Sequence, residues 1–563
     1  MMLARVIKDK YIKDILIIIV LILESIFIVE MNFNHYIVLD RDLNFPLNLE
    51  GSLRWIYNNL DGYTFDFRNI NRVFIGLIFY ILYSIYNSPV IFKYFVMSII
   101  FLSLLLTYYS IKELYRIKFN QEQNIVSFII SQLIVFNNFT LQSRFTSLSL
   151  LIFLYIYEPA TLYLILKFIR FNKRKYILYL FIINLVIPIT QPIYFVIWYI
   201  FLALYILPLV KRPLRYFINL LLGFTPLFAV SAIQALAIQA ITEPYLSSAY
   251  VALQQNSPTL LQFLVGINYP IAFDKYCVTE SQCYRYNEFA SYYLDNFVPK
   301  IIYLSKIIIF VIPLLIRKFI RKKGNLYYLY YLSLYLFMIF IITSPWLFTY
   351  SETIALAMRF PYHRLAFPLL FTEMILLMYI TTFNKFAKIT IVLFLLSLYI
   401  IYYLPLYSGM LFINTPLENY KLPIDVLNPL LNDIKFIRNL NNTILYIPYS
   451  ATSYFVCFSI NNSSIIYYFI NPFYLFSDCN VIYNSKYLFE KHNNNLTRFI
   501  IDNYNNIVIV IEKYSCLYNS TIAKFDNRMH LEPNMLFELL KKLNINYTVY
   551  ELSNYYVILP LFS

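Results

Sequence analysis

Two groups of side chains in this sequence have the types and spacing for chemistry. The first is Asp40 and Asp42 in the stretch VLDRDLNFPLN, followed by further acids at Glu50, Asp61 and Asp66. Carboxylates so close together can bind a divalent cation such as Mg or Mn; alternatively, one can act as general base while the other orients a substrate. The second group is MRFPYHRLAFP, with Arg359, His363 and Arg364, and Arg144 adds a further cation. The planar fork of an Arg guanidinium suits phosphate oxygens. Taken singly, each group has a plainer reading, as solvated loop acids or as arginines snorkelling to lipid headgroups. An acidic loop facing a cationic cluster favours function over both.

The elements that must position these groups follow from composition. The 563 residues are 60% hydrophobic and only 13% charged, with mean hydropathy +0.61. Most of the chain must therefore use lipid as its solvent. The net charge of +15 then reads as basic loops on the cytoplasmic side, not as a nucleic-acid surface. The N-terminus, with Arg5, Lys8, Lys10 and Lys13 before an apolar run, reads as an uncleaved signal anchor with its basic end inside. Apolar runs of spanning length lie near 14–31, 91–109, 125–140, 148–166, 176–191, 193–210, 216–240, 299–316, 326–344, 366–383 and 389–405.

Basic clusters between these runs assign the sides. Lys112/Arg116/Lys118, Lys167/Arg170/Lys173/Arg174/Lys175, Lys211/Arg212/Arg215, Arg317/Lys318/Arg321/Lys322/Lys323 and Lys385/Lys388 should all face the cytoplasm. Counting 73–86 as a further span would turn these clusters outward, so it reads as a helix lying at the outer surface or dipping in and returning. The result is a multi-pass cell-membrane protein of about eleven spans, with its N-terminus cytoplasmic. A transmembrane part, 1–405, carries outer loops at 32–90 and 241–298. Both reactive groups then face outward: Asp40 and Asp42 soon after the first span, Arg359, His363 and Arg364 just before 366–383.

N-x-S/T sequons at Asn138, Asn441, Asn461, Asn462, Asn495, Asn519 and Asn546 all fall in segments assigned outside, as glycosylation would require. The cysteines fall there too. Cys277 and Cys283 are close enough for a disulfide in an oxidising compartment, and one of Cys457, Cys479 and Cys516 should be left over. From 406 onward the chain turns polar. Helical stretches at 426–440, 485–503 and 533–544, with strands at 443–450, 507–514 and a final pair, predict an extracytoplasmic α/β domain over 406–563. It contains no Gly-rich phosphate loop and no nucleophile elbow, so a structural or recognition cap is the favoured role.

The acids trailing the first span, the surface helix behind them and the outer C-terminal domain resemble the GT-C superfamily of membrane glycosyltransferases. The segment RFPYHR and the ending KKLNINYTVY also resemble the bacterial YfhO-related proteins and the arabinofuranosyltransferases. The resemblance implies a GT-C-like helical fold and a sugar donor carried on a polyprenyl phosphate. The acceptor would be a glycan or protein at the outer face, with membrane lipids as the remaining partner. It implies that Asp40 or Asp42 is the general base, the other being metal or acceptor ligand. Arg359 and Arg364, with His363 and Arg144 nearby, would hold the donor phosphate. No WWDYG motif occurs, which argues against the oligosaccharyltransferase branch.

A transporter or flippase of lipid-linked glycans, or a scaffold, is the alternative. Only 7 Gly and no visible internal repeat weigh against a transporter. A protease lacks support, because the four histidines form no HExxH or triad pattern.

Overall fold

In the computed structural model the described residues of the helical part are 2–33, 36–38, 70–136 apart from 89, 156–186, 192–210, 213–239, 253–268, 275–285 apart from 280–281, 289–315, 325–350, 361–383, 392–397 and 404–408, with a few isolated positions. Beyond them the structure describes 421–423, parts of 433–447, 456–460, 464–468, 481–482, 507–512, 533–542, 545–552 and 555–560.

In lipid every backbone group must find its partner within the segment, which leaves the helix as the element available to these apolar runs. They form α1 (Met2–Phe33), α2 (Ile70–Ile85), α3 (Ile91–Phe119), α4 (Asn124–Val135), α5 (Glu158–Phe171), α6 (Lys175–Val186), α7 (Pro192–Ile206) and α8 (Pro213–Gln239). After them come α9 (Leu260–Leu264), α10 (Phe289–Asp295), α11 (Phe297–Leu315), α12 (Asn325–Thr343), α13 (Pro361–Phe383) and the short α14 (Leu404–Tyr407). Helices α3 and α5 stop at Asn120 and Asn172, whose φ of 50° and 51° puts them in the left-handed region that Asn tolerates. Among the described residues three helices are long and apolar enough to cross a membrane: Ile91–Phe119, Leu326–Thr343 and Arg364–Thr382.

The packing distinguishes two kinds of helix. α13 lies at the centre, with 94% of its apolar window buried, against α12, α7, α11 and α4. α1, by contrast, turns Ile15, Leu16, Ile19, Leu23 and Phe27 outward, an apolar face suited to lipid. At one point two helices come close: a Cβ at Gly223 on α8 would lie 2.6 Å from Leu180 Cδ2 on α6, so any side chain there would require Leu180 to shift. Asn184 reinforces that contact by donating to the Gly223 carbonyl at 2.9 Å.

Ion pairs fix the helix directions. α1 and α3 run antiparallel, joined by Asp14 to Lys112 at 2.5 Å and by Glu30 to Lys93 at 3.0 Å. At 1.5 Å per residue these two bridges stand about 24 Å apart along α1 and about 28 Å along α3, close to the hydrocarbon thickness of a bilayer. At the Lys112 end two of the basic clusters meet. Glu113, 1% exposed, accepts Lys167 at 2.6 Å, Arg116 at 2.7 Å and Arg170 at 2.9 Å. The Lys118 ammonium lies 3.4 Å from the Tyr327 ring centroid, at the start of α12, and 5.9 Å from Tyr379, near the end of α13. The helix ends adjoining the basic clusters therefore meet at one end of the bundle, hereafter the basic end.

The C-terminal part contains a five-stranded mixed sheet, ordered β10-β11-β9-β5-β8. Its strands are β5 (Thr443–Ile447), β8 (Val481–Ile482), β9 (Ile507–Glu512), β10 (Tyr547–Glu551) and β11 (Tyr555–Pro560), with a helix, α15 (Pro533–Lys542), before the last two. β5 is parallel to both β8 and β9, whereas β11 is antiparallel to β9 and β10. The apolar run of β9 is buried from Ile507 to Val510, as a central strand covered on both faces requires. The region read as helical over 485–503 lies outside the described residues. A hairpin of β6 (Val456–Ile460) and β7 (Ser464–Tyr468) was not expected from the sequence.

Candidate functional site

The end of the bundle opposite the basic end holds the roots of both reactive groups. Here α1 finishes, its Asn32 donating to the Leu406 carbonyl of α14 at 2.8 Å. The chain then forms β1 (Tyr36–Val38), which pairs antiparallel with β4 (Lys421–Pro423), Tyr36 opposite Pro423 and Val38 opposite Lys421. Asp40 and Asp42 follow β1 directly; they lie outside the described residues, as do Arg144 and Arg359. α13 begins at this same end, because its far end reaches the basic end through Thr381, whose hydroxyl lies 2.9 Å from that of Tyr115. Arg364, in the first turn of α13, is only 4% exposed, and His363 is placed by its backbone alone. The structure thus brings Arg364 to the end from which the acidic segment departs.

Two features prepare the Arg364 turn. Pro368, one turn further along, lacks the N–H that would otherwise meet the Arg364 carbonyl. The Pro368 carbonyl instead accepts from Thr372 at 2.8 Å and from the Tyr205 hydroxyl of α7. Part of the loop after α8 packs against this turn. Its helix α9 starts at a capping box between Thr259 and Gln262, which sets Phe263 edge-on to Tyr362, centroids 6.5 Å apart. Asn268 in the same loop donates to the Tyr303 hydroxyl of α11 at 2.8 Å.

Deeper in the bundle lies an ionic contact the sequence only half disclosed. Glu373, an ionisable residue within the predicted span 366–383, where a charge is costly, meets Lys306 of α11 at 2.8 Å and accepts the Tyr335 hydroxyl of α12 at 3.1 Å. Both side chains are about one-tenth exposed, 11% for Lys306 and 9% for Glu373. The basic partner was missed although Lys306 interrupts the apolar run YLSKIIIF, a position that itself calls for a counter-charge. Glu24 of α1 was missed likewise; it accepts Gln132 of α4 and Tyr407 of α14, each at 2.6 Å. Glu158, a further carboxyl within a predicted span, is 2% exposed at the start of α5.

Glu373 and Lys306 tie three helices together and stand on the far side of α13 from Arg364, since nine residues turn a helix by about 180°. Breaking the pair by Lys306→Met or Glu373→Leu alone should destabilise the protein by about 3 kcal/mol, while the double replacement should cost much less. Thermal unfolding of the purified variants in detergent measures this; two additive single effects would contradict it.

Cys277 and Cys283 are direct Cα partners across the hairpin of β2 (Lys275–Thr279) and β3 (Gln282–Arg285). Residues opposite each other in an antiparallel pair stand about 4.5–5.5 Å apart at Cα, a span a disulfide can bridge. Of the sequon asparagines, Asn546 is described and is exposed just ahead of β10; Asn138, Asn441, Asn461, Asn462, Asn495 and Asn519 lie outside the described residues. Among the described residues no group of His, Cys, Asp and Glu is arranged to hold a metal ion.

No protein-family model matches this chain, and no curated protein matches it in sequence. Solved structures do. A single-particle cryo-EM structure of the arabinofuranosyltransferase AftD from mycobacteria matches with a TM-score of 0.55 at 9% identity, over 97% of this chain and 40% of that one. A second AftD structure gives a TM-score of 0.56 at 9% identity, over 96% and 41%. The chain spans about two fifths of the length of AftD. At that identity the likeness is one of fold: this mostly helical chain, with helices fit to cross a membrane, folds as that part of AftD does.

Proposed function

We propose that the protein is a GT-C-type membrane glycosyltransferase, moving a sugar from a polyprenyl-phosphate donor to a glycan or protein acceptor at the extracytoplasmic face. The observation that carries this reading is that β1, which leads into Asp40 and Asp42, and the Arg364 turn of α13 share the end of the bundle away from the basic clusters. The fold likeness to an arabinofuranosyltransferase is the second support. In this reading Asp40 or Asp42 removes the acceptor proton and the other orients the acceptor or holds a divalent cation. Arg364, with Arg359, His363 and Arg144, binds the donor phosphate and stabilises the charge that develops on it as the glycosidic bond breaks.

The β1–β4 ladder bears on topology. Strands that pair side by side lie on one side of the membrane, so the chain between Val38 and Lys421 crosses an even number of times. With α1 as one crossing the total is odd, which agrees with eleven spans, a cytoplasmic N-terminus and an extracytoplasmic domain over 406–563. The helix α2, 16 residues long, fits the surface or re-entrant role better than a crossing. An outer location also suits a Cys277–Cys283 disulfide and occupied sequons.

The test is Arg364→Gln and Arg364→Lys in proteoliposomes supplied with synthetic polyprenyl-phosphate pentoses and hexoses. Losing a charge-assisted bidentate contact of about 1.5–3 kcal/mol should lower transfer about 10- to 150-fold. Lys should recover only part of it, having no fork. Wild-type transfer by the Gln variant would remove Arg364 from the site. Absence of transfer by wild type with every donor, alongside directional movement of the lipid-linked sugar across the bilayer, would favour the flippase alternative.

A further inference from the structure

At the basic end several charges are matched among the described residues. Asp14 takes Lys112, Glu113 takes Lys167 and Arg170, and Arg116 is shared between Glu113 and Glu122. Lys118 makes no ion pair among the described residues; aromatic faces hold it, Tyr327 at 3.4 Å and Tyr379 at 5.9 Å from ring centroid to ammonium. A ring face stabilises a cation without neutralising it, so the positive charge stays available. Beside it opens a cleft lined by Lys118, Tyr379, Leu114, Leu209, Ile375 and Met378, with about 10 Å³ of room for a water-sized group. Tyr379, one of the lining residues, is 8% exposed, and its hydroxyl has no hydrogen-bond partner among the described residues. A buried phenol without a partner costs stability unless something meets it.

The cleft therefore offers a cation and a hydroxyl donor at the head of an apolar wall, where the bundle meets the leaflet at its basic end. We propose that this is a binding site for an anionic phospholipid of that leaflet. One phosphate oxygen would enter the cleft to accept from Tyr379 and Lys118, and the rest of the headgroup and the acyl chains would stay outside it, in the leaflet. The size of the cleft admits an oxygen and excludes a whole headgroup, and the uncompensated charge selects anionic over zwitterionic lipid. The site stands at the opposite end of the bundle from the proposed transfer site and does not depend on it.

The experiment is native mass spectrometry of the full chain released from micelles containing equal phosphatidylglycerol and phosphatidylcholine. Wild type should retain phosphatidylglycerol preferentially. Lys118→Gln should reduce the retained fraction about tenfold, the loss of one charge-assisted contact, whereas Lys175→Gln, an exposed lysine at the same end, should not. Tyr379→Phe keeps the ring under Lys118 and removes only the hydroxyl, so it should lower retention about threefold and decides the matter should Lys118→Gln fail to fold. Equal retention of both lipids by wild type would overturn the proposal. So would unchanged retention in Tyr379→Phe, or displacement of the lipid by millimolar inorganic phosphate alone, which would make the site one for free phosphate.

Discussion

Asp40→Asn and Asp42→Asn, made together, are expected to abolish glycan transfer and leave the protein folded. General-base catalysis contributes about 10²- to 10⁴-fold to rate, so the residue acting as base should by itself account for a loss of that size. Its neighbour, if it only orients the acceptor, should raise KM more than it lowers kcat. Transfer from a lipid-linked donor in proteoliposomes, read beside the gel-filtration profile of each variant, separates catalysis from folding. Full transfer by the double variant would reject both roles. The expectation has a structural basis in β1. Its ladder with β4 anchors the chain at Val38, so the acids that follow are tethered close to the end of α1 and to the start of the C-terminal part. Asn keeps their shape and removes the proton-accepting charge, and a purely structural role would tolerate that change.

The second large effect concerns stability. Glu113→Ala should destabilise the protein by about 5 kcal/mol, because it strands Lys167, Arg170 and Arg116 around a buried position. The carboxylate is 1% exposed, while Lys167 and Arg116 are 17% and 18% exposed, so water compensates the cations only in part. Glu113→Gln keeps hydrogen-bond acceptance without the charge and should fall between Ala and wild type. Thermal unfolding in detergent, at low and at high salt, measures both. A salt-independent loss below about 1 kcal/mol for Ala would reduce Glu113 to an ordinary surface pairing. Since Glu113 joins α3 to α5, the loss should also relax the gathering of basic residues at that end.

Much of this arrangement was legible from residue type alone. Among the described residues, helices occupy most of the predicted apolar runs, and three of them are long and apolar enough to cross a membrane. That the Lys112 and Lys167 clusters share one end follows from charge, since an ammonium or guanidinium is not left in hydrocarbon. The stretch IVIVIE was readable as a buried strand for a similar reason: an unbroken β-branched run suits a strand covered on both faces. What charge and hydropathy did not disclose is which helix is central. α13 is nearly all buried, while α1 turns much of its side-chain surface outward, yet both sequences are apolar around the helix. Lipid and protein interior are equally apolar, so pattern alone does not distinguish a face turned to one from a face turned to the other.

The partners of polar residues within the bundle belonged to the tertiary structure as well. Glu373 was visible as an anomaly; that Lys306, 67 positions earlier, answers it depends on how α11 meets α13. The β1–β4 ladder is the extreme case, since short strands nearly the whole helical part of the chain apart carry no periodic signal. The sequence by itself determined that the chain is mostly apolar helix, because transfer free energies act residue by residue. Only the tertiary structure decided which helices touch and that the Arg364 turn and the acid-bearing segment share one end, because those contacts depend on shape and on pairings between residues hundreds of positions apart.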